Sequence, residues 1–230
     1  MAENIADLAV RLLMKTGSKK GRTTMPPNFI GFCARSGGMV IKMRVITGTS
    51  KGVNLNALSG TGTRPTTDKV KEAVFSAIQA IVDIEGATVL DLFAGSGQLG
   101  IEALSRGAKK AYFNDNNPKA AMIIRENLKK TGFGDSRYSR VGRLPYSAFM
   151  RLVKDEFDIV FLDPPYEKGI IEKALPLAVS KMNTGDSGGV IVCEHEKSLI
   201  LPEKVGVFGV EKVYLYGSIN VTIYTPLNQC

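Results

Sequence analysis

Short apolar runs recur along the chain at intervals filled by amphipathic stretches, and this alternation predicts an ordered series of strands and helices. Apolar runs bounded by glycine, proline or polar residues are typical of buried strands. The predicted strands are 88–93, 110–115, 137–141, 157–162 and 189–194. Apolar residues three or four positions apart predict a helix within 63–81 and further helices at 97–106, 117–131, 146–154 and 168–182. Strands that alternate with helices favour a mainly parallel sheet.

The two ends of the chain depart from this alternation. Residues 213–224 predict two strands around Gly217 and Ser218, which would form an antiparallel hairpin at the sheet edge. Residues 43–57 predict a small β-hairpin in front of the α/β segment. We therefore expect an α/β fold with a seven-stranded, mostly parallel sheet, an antiparallel edge hairpin and a small N-terminal β-hairpin. The predicted division is a mostly poorly ordered extension at 1–42, the hairpin at 43–62 and the main domain at 63–230.

Length and composition exclude several classes of protein. A chain of 230 residues is long enough for one domain with a large core. No apolar run reaches the length of a membrane span, and the N-terminus lacks the apolar segment of a secretory signal. Cys33, Cys193 and Cys230 are odd in number and far apart, which favours reduced thiols over disulfides or metal ligands. We therefore expect a cytoplasmic protein without a metal centre.

The net charge of +8 is concentrated in one part of the chain. Residues 1–72 hold 12 Lys or Arg against 4 Asp or Glu, whereas residues 73–230 hold 18 of each. Concentrated positive charge attracts phosphate backbones, so the block that contains Arg44, Lys51 and Arg64 is a candidate for RNA contact. The competing interpretation is a solvated surface, which is the better one for any single lysine.

The sequence Asp163-Pro164-Pro165-Tyr166 directly follows the predicted strand 157–162. Proline cannot continue a central strand, so the chain turns out at the edge where ligands bind in open α/β sheets. The fixed φ angles of the prolines hold the Asp163 carboxylate, the Pro164 carbonyl and the Tyr166 ring in a narrow arrangement. Two acceptors beside a flat ring suit a planar amine on a nucleobase. The simpler interpretation is a strand-ending turn with a tyrosine at the surface.

Residues 88–100 combine a strand, a glycine loop and the start of a helix. Gly95, Gly97 and Gly100 match the dinucleotide pattern G-x-G-x-x-G, which alone is a weak signal for a bound pyrophosphate. Asp91, at the end of the strand, would repel a pyrophosphate and suits an ammonium group or a sulfonium. Asp115 ends the next strand, where an acid can accept both ribose hydroxyls of an adenosine.

In their order along the chain, from Asp91 through Asp115 to Asp163, these motifs resemble those of class I S-adenosylmethionine-dependent methyltransferases, which have a Rossmann-like fold. Three further stretches narrow the resemblance to the bacterial family that methylates the exocyclic N2 of a guanine in 16S ribosomal RNA. They are 44–52, 63–75 and 99–107. The resemblance runs from Met43 to about Tyr224, and the segment from Thr63 to Thr66 is far more specific than the glycine loop.

The resemblance implies a cofactor, a substrate and a set of site residues. Asp163 and the Pro164 carbonyl would hold the two hydrogens of the amine, and Tyr166 would stack on a base that has left its helix. RNA contacts would come from Arg44, Lys51, Arg64, Thr66 and Tyr166. S-adenosylmethionine would be held by Asp91, Phe93, Ala94, Gly95, Ser96, Gly97, Asp115, Asn116 and Asp163. The substrate would be 16S rRNA in a partly assembled small subunit, and we expect a monomer.

Two other functions compete with this one. Related methyltransferases that act on adenine N6 in DNA or RNA share the chemistry; they usually carry Asn in place of Asp163, although some use Asp. A non-catalytic RNA-binding protein of ribosome assembly is the other hypothesis, and the complete glycine loop counts against it. The chain departs from the family at 140–148, which lacks the acid that often binds the adenine amino group. We expect backbone groups near Gly142 or Arg143 to take that role.

Overall fold

The computed structural model describes residues 43–58, 68–166, 169–183, 185 and 188–227. The strands within these residues are β1 (Met43–Arg44), β2 (Asn54–Leu55), β3 (Thr88–Asp91), β4 (Lys110–Asn114), β5 (Ser139–Gly142), β6 (Ile159–Leu162), β7 (Val190–Glu196), β8 (Lys204–Val205), β9 (Phe208–Tyr216) and β10 (Ile219–Pro226). The helices are α1 (Asp68–Gln79), α2 (Gln98–Ser105), α3 (Pro118–Thr131), α4 (Tyr146–Leu152) and α5 (Ile170–Val179).

Eight of these strands form one sheet in the order β5-β4-β3-β6-β7-β10-β9-β8. Five neighbouring strands, β5, β4, β3, β6 and β7, are parallel, whereas β10 runs antiparallel to both β7 and β9. After β5 the chain returns to the other side of β3, so β3 and β6 are neighbours where the winding reverses. Ligands bind to open sheets of this kind beyond the carboxyl ends of the strands at such a point.

The predicted Rossmann-like α/β architecture is confirmed, and the sheet holds one strand more than the seven expected. The additional strand, β8, has two residues and pairs with the start of β9. Two residues have no periodicity, so the hydrophobic pattern cannot reveal such a strand. β9 begins at Phe208, five residues before the predicted start at Val213. The prediction missed this part of the strand because the charged Glu211 and Lys212 interrupt its apolar pattern.

Helices cover both faces of the sheet, and each face has its own core. α1, α2 and α3 pack over Val89, Phe161 and their neighbours, and the Phe75 and Phe161 ring centroids lie 5.6 Å apart. α4 and α5 pack on the opposite face over Leu90, Val160 and their neighbours. Successive side chains of a parallel strand point to opposite faces of the sheet. Both faces are covered by helices here, so these strands are almost continuously apolar. Among the described residues, no helix is both long and apolar enough to span a membrane.

The hairpin of β1 and β2 is attached to the sheet body through buried polar contacts. Its antiparallel ladder has two residues on each strand. The amides of Ile46 and Thr47 donate to the Glu102 carboxylate on α2 at 2.8 and 3.0 Å. Glu102 is fully buried and also pairs with Arg106 at 3.0 Å and with Lys71 at 3.7 Å. One internal carboxylate therefore joins the hairpin to both α1 and α2.

The division of the chain into 1–42, 43–62 and 63–230 remains a prediction. Residues 1–42 and 59–67 lie outside the described part of the chain.

Candidate active site

A cavity of about 720 Å³ opens at the carboxyl ends of β3, β4 and β6. Its volume lies within the range of small-molecule and cofactor sites. No lysine or arginine of the described residues lines it. Its ionisable acids are Asp91, Asp115, Asp163 and Glu194. A cavity that is lined by acids and, within the described part of the chain, by no basic side chain favours a positively charged ligand over a phosphate.

The glycine loop between β3 and α2 forms one wall of the cavity. Gly95 and Gly97 have φ of +54° and +78°, a left-handed conformation that glycine adopts without a steric penalty. Gly100 serves a different purpose, since a Cβ there would lie 2.4 Å from the ring of Phe113 on β4. The first two glycines of the pattern thus shape the loop, and the third lets α2 pack closely on the sheet.

Asp91 lies at the end of β3 with its side chain buried. Its Oδ2 accepts a hydrogen bond from the Gly100 amide at 3.1 Å, which ties the strand end to the first turn of α2. Burial raises the pKa of Asp91 to about 7; the Gly100 hydrogen bond opposes this rise and the charge of Asp115 adds to it. A cation bound beside this carboxyl group would favour its ionised form.

Asp115 connects the glycine loop to the next strand. Its Oδ2 accepts from the Gly95 amide at 2.9 Å and its Oδ1 accepts from the Asn117 amide at 2.8 Å. Each carboxylate oxygen can accept a second hydrogen bond, so Asp115 keeps acceptor capacity for a ligand. Asn117 caps α3 by accepting from the Lys119 amide at 2.9 Å, which fixes the backbone that follows the acid.

The wall beyond β5 is apolar, and the expected adenine contact from backbone groups near Gly142 or Arg143 stays a prediction. It is formed by Leu144, Pro145 and Tyr146. Gly142 cannot carry a side chain here, because a Cβ would lie 2.9 Å from the ring of Phe149 and 3.0 Å from Oδ1 of Asn114.

Two contacts set the position of this wall. Asn114 donates to the Leu144 carbonyl at 3.0 Å and accepts from the Leu144 amide at 3.2 Å. The rings of Phe93 and Tyr146 lie 5.5 Å apart at 48°. The result is an aromatic and aliphatic surface opposite the acids, suited to a flat heterocycle.

The Asp163-Pro164-Pro165-Tyr166 turn follows β6 and lines the same cavity. Asp163 is half-buried, and burial together with the charges of Glu194 and Asp91 holds the pKa of its carboxyl well above the ordinary value. Tyr166 is 55% exposed at the mouth of the cavity. Partial burial, the charge of Glu194 and a hydrogen bond with that residue raise the pKa of Tyr166 to about 12, so its hydroxyl stays protonated.

Glu194 is a cavity residue that the sequence interpretation missed. It lies on β7, is 8% exposed, and belongs to a strand whose preceding residues, 190–193, are all apolar and buried. Leu162 of β6 pairs with Cys193 of β7, so Asp163 and Glu194 come next on neighbouring parallel strands. An acid directly after an apolar run was the available signal, the same signal that identifies Asp91 and Asp163.

Asn127 is a second residue that the sequence interpretation missed. It lies fully buried on α3, where its Nδ2 donates to the carbonyls of Asn56 at 3.0 Å and Ser96 at 2.9 Å. Its Oδ1 accepts from the Asn56 amide at 2.7 Å. One side chain therefore holds the end of the N-terminal hairpin against the glycine loop.

Most of the residues proposed from the sequence converge on the cavity. The lining includes Asp91, Phe93, Ala94, Gly95, Ser96, Asp115, Asn116, Asp163, Pro164 and Tyr166, whereas Gly97, the N-cap of α2, is not part of it. The basic residues do not line it: Arg44 pairs with Asp68 at 3.0 Å on the surface, and Lys51 is exposed between β1 and β2. Arg64 and Thr66 lie outside the described residues.

Comparisons with known proteins agree with this geometry. The family model described as conserved hypothetical protein 95 matches residues 43–225. The chain is 43% identical to Bacillus subtilis YlbH, provisionally named an rRNA methyltransferase, over 79% of this chain and 98% of that protein. It is 35% identical to ribosomal RNA small subunit methyltransferase D of Haemophilus influenzae, over 70% of this chain and 84% of the relative.

A solved structure extends the comparison. The Escherichia coli protein yhhF, provisionally named a methyltransferase, superposes with a TM-score of 0.70 and 29% identity. The match covers 82% of this chain and 99% of that one.

Proposed function

This chain belongs to the family described as conserved hypothetical protein 95, and on that premise we propose that it methylates the exocyclic N2 amine of a guanine in 16S ribosomal RNA. The methyl donor is S-adenosylmethionine. The names of the relatives support methylation of ribosomal RNA as the broader activity. The choice of guanine N2 is the finer step, and the residues of the cavity support it.

One observation carries the proposal: the Asp163-Pro164-Pro165-Tyr166 turn, here called the amine-holding turn, opens onto the same cavity as the acids at the ends of β3 and β4. Asp163, Pro164 and Tyr166 lie on one side, and Asp91 and Asp115 lie on the other. A methyltransferase needs its donor and acceptor sites to meet within one enclosure, because reaction requires the two groups to be held in contact.

The residues present fit S-adenosylmethionine. Asp91 would hold its ammonium group, Asp115 its ribose hydroxyls, and the wall around Phe93, Leu144 and Tyr146 its adenine ring. An apolar adenine wall removes the need for the acid that is missing after the third strand. When bound, this cofactor supplies an electrophilic methyl group on a cationic sulfur, which keeps the electron pair of the broken carbon–sulfur bond.

The turn after β6 would prepare the amine. The lone pair of guanine N2 is conjugated with the ring, so the amine is a weak nucleophile. The Asp163 carboxylate and the Pro164 carbonyl would accept its two hydrogens and direct the lone pair into the cavity. Tyr166 would stack on the base, a contact worth about 1–3 kcal/mol. Once N2 has formed its new bond to carbon, the surplus N2 proton would pass to Asp163 and from there to water.

The basic N-terminal region would bring RNA to this cavity. Met43, Ala57 and Leu58 of the hairpin line its rim, and Lys51 is exposed on the same hairpin. Phosphate contacts from the basic region would position the RNA without reading its sequence. Arg44, Arg64 and Thr66 complete the proposed contact set. We propose a partly assembled small subunit as the substrate and a monomeric, cytoplasmic enzyme.

The deciding experiment combines methyl-labelled S-adenosylmethionine with small ribosomal subunits from a strain that lacks this gene. Nucleoside digestion and mass analysis then identify the labelled base. The proposal predicts N2-methylguanosine at a single site. Label in N6-methyladenosine would replace it with the adenine hypothesis, and an absence of label despite intact cofactor binding would favour the binding-only hypothesis.

A further inference from the structure

Glu194 is placed beside the amine-holding turn, although the proposed transfer assigns it no role. It follows Cys193, whose partner across the parallel ladder is Leu162, and Asp163 follows Leu162. Neighbouring strands lie about 4.8 Å apart, so Asp163 and Glu194 project from adjacent backbone positions at one end of the sheet. Both line the same cavity, and Glu194 is 8% exposed.

We propose that Glu194 determines the choice of base by accepting the N1–H of the target guanine while Asp163 accepts a hydrogen of N2. This inference rests on the proposed guanine-N2 activity and makes it more specific. It assigns Glu194 to substrate recognition and leaves the cofactor contacts with Asp91 and Asp115.

The Watson–Crick edge of guanine matches two adjacent carboxylates. Guanine presents N1–H and the N2 amine side by side, two neighbouring groups that donate. Adenine presents a lone pair at N1 next to its amine, and an ionised carboxylate can only accept hydrogen bonds. A base with a lone pair at N1 would therefore point that lone pair at the Glu194 carboxylate, and two acceptors that face each other repel.

The repulsion between the two acids in the cavity also favours guanine over adenine. The charge of Glu194 acts on Asp163 and helps to raise the pKa of that carboxyl, as expected for two acids close together. Donors placed between the two carboxylates relieve this repulsion. Guanine can supply one donor to each acid, whereas adenine offers a donor only to the acid that faces its amine.

Glu194 also contacts Tyr166, so two routes of action have to be separated. The Glu194 carboxylate accepts a hydrogen bond from the Tyr166 hydroxyl. If Glu194 acted only by holding that ring, Tyr166→Phe would reproduce the effect of changing Glu194, since it removes the hydroxyl and keeps the ring. A direct contact with N1 predicts that Tyr166→Phe leaves base discrimination unchanged.

The test compares guanine with 2-aminopurine, which keeps the N2 amine and replaces N1–H with a lone pair. Small subunits are reconstituted with 16S RNA that carries either base at the target position identified by labelling. We expect wild-type kcat/KM to favour guanine by at least about tenfold, in line with one well-placed base contact. Glu194→Gln should bring the ratio close to one, because an amide can donate to the N1 lone pair.

Two results would overturn the inference: equal methylation of both bases by the wild type, or a wild-type ratio retained by Glu194→Gln. A wild type that leaves guanine N2 unlabelled would instead refute the proposed function itself. Cofactor affinity measured by calorimetry shows whether Glu194→Gln is folded. If it is not, Glu194→Asp takes its place: a shortened acceptor should lower the rate on guanine at least about tenfold, and an unchanged rate would count against the contact.

Discussion

The amide of Gly95 donates a hydrogen bond of 2.9 Å to Oδ2 of Asp115, so the glycine loop after β3 is fastened to the acid at the end of β4. The same acid accepts from the Asn117 amide at the start of α3. Asp115 thus shapes the wall of the cavity in addition to its proposed contact with ribose. A backbone donor bound to a charged acceptor is stronger than a neutral hydrogen bond, which suits a loop that must stay open for a ligand.

Asp115→Ala should weaken S-adenosylmethionine binding by at least about tenfold. The variant loses the proposed ribose acceptor and frees two loop amides at once, and each charged hydrogen bond contributes about 1.5–3 kcal/mol. Isothermal titration calorimetry measures the effect. Asp135→Ala is the matched control, because Asp135 is a surface acid paired with Arg137 outside the cavity lining. Equal affinities in the two variants would remove Asp115 from the cofactor site.

Asp163→Ala should abolish methyl transfer and leave cofactor affinity largely intact. The variant removes one of the two proposed acceptors for the amine, while Asp91 and Asp115 remain in place. Single-turnover transfer from labelled cofactor to small subunits measures the chemical step, and calorimetry measures binding. Near-normal turnover would show that Asp163 does not hold the amine. Asp163→Asn keeps an oxygen acceptor of similar size, so we expect part of the activity to return.

Asp91 should make the stability of the protein depend on pH in a predictable direction. Its folded pKa of about 7 lies above the ordinary value of 3.8, so the folded state holds a proton that the unfolded state has released. Between about pH 4 and pH 7 this group therefore destabilises the fold increasingly as the pH rises, and above about pH 7 its effect is constant. Asp91→Asn removes the titration.

Urea unfolding of the wild type and of Asp91→Asn across this range isolates the effect. The free energy of unfolding of the variant, relative to that of the wild type, should increase from about pH 4 to pH 7 and then level off. Other acids cancel in the difference because they are common to both proteins. A difference that does not change with pH would mean that Asp91 ionises normally in the folded state.

Much of this architecture could be predicted from the sequence. The pattern located β6 and α3 within two residues at each end, since a continuous apolar run and a capped amphipathic stretch are local signals. Asp91, Asp115 and Asp163 were also recognisable, because each follows a predicted strand and the carboxyl ends of parallel strands meet at one edge.

The remainder of the site depends on distant contacts. Glu194 follows an apolar run, as Asp91 and Asp163 do, but its closeness to Asp163 comes from the register of β7 against β6, which single-strand periodicity does not encode. Asn127 reads as an ordinary polar residue of a helix, yet it binds Asn56 and Ser96, which are far away in the sequence. The apolar wall at Tyr146 depends on a loop position that Asn114 sets from another strand.

Glu102→Ala should strongly destabilise the protein. Its buried carboxylate pairs with Arg106 and Lys71 and accepts from two hairpin amides, so removing it leaves buried cations and donors without their partner. The loss of one partner of a buried ion pair costs about 3–5 kcal/mol. Urea denaturation gives the change in the free energy of unfolding. Asp135→Ala breaks an exposed pair and should leave the free energy of unfolding nearly unchanged.

Lys51→Ala should weaken RNA binding mainly at low salt if this exposed lysine contacts phosphate. Each phosphate contact releases counterions, so the loss of one contact should reduce the slope of log K against log salt by about one. Filter binding of small subunits from the deletion strain between low and physiological salt measures that slope. Lys181→Ala is the control. The Lys181 ammonium donates to the Val153 carbonyl at 2.7 Å, and both residues lie outside the N-terminal hairpin. A loss of affinity with an unchanged slope would assign Lys51 a structural role.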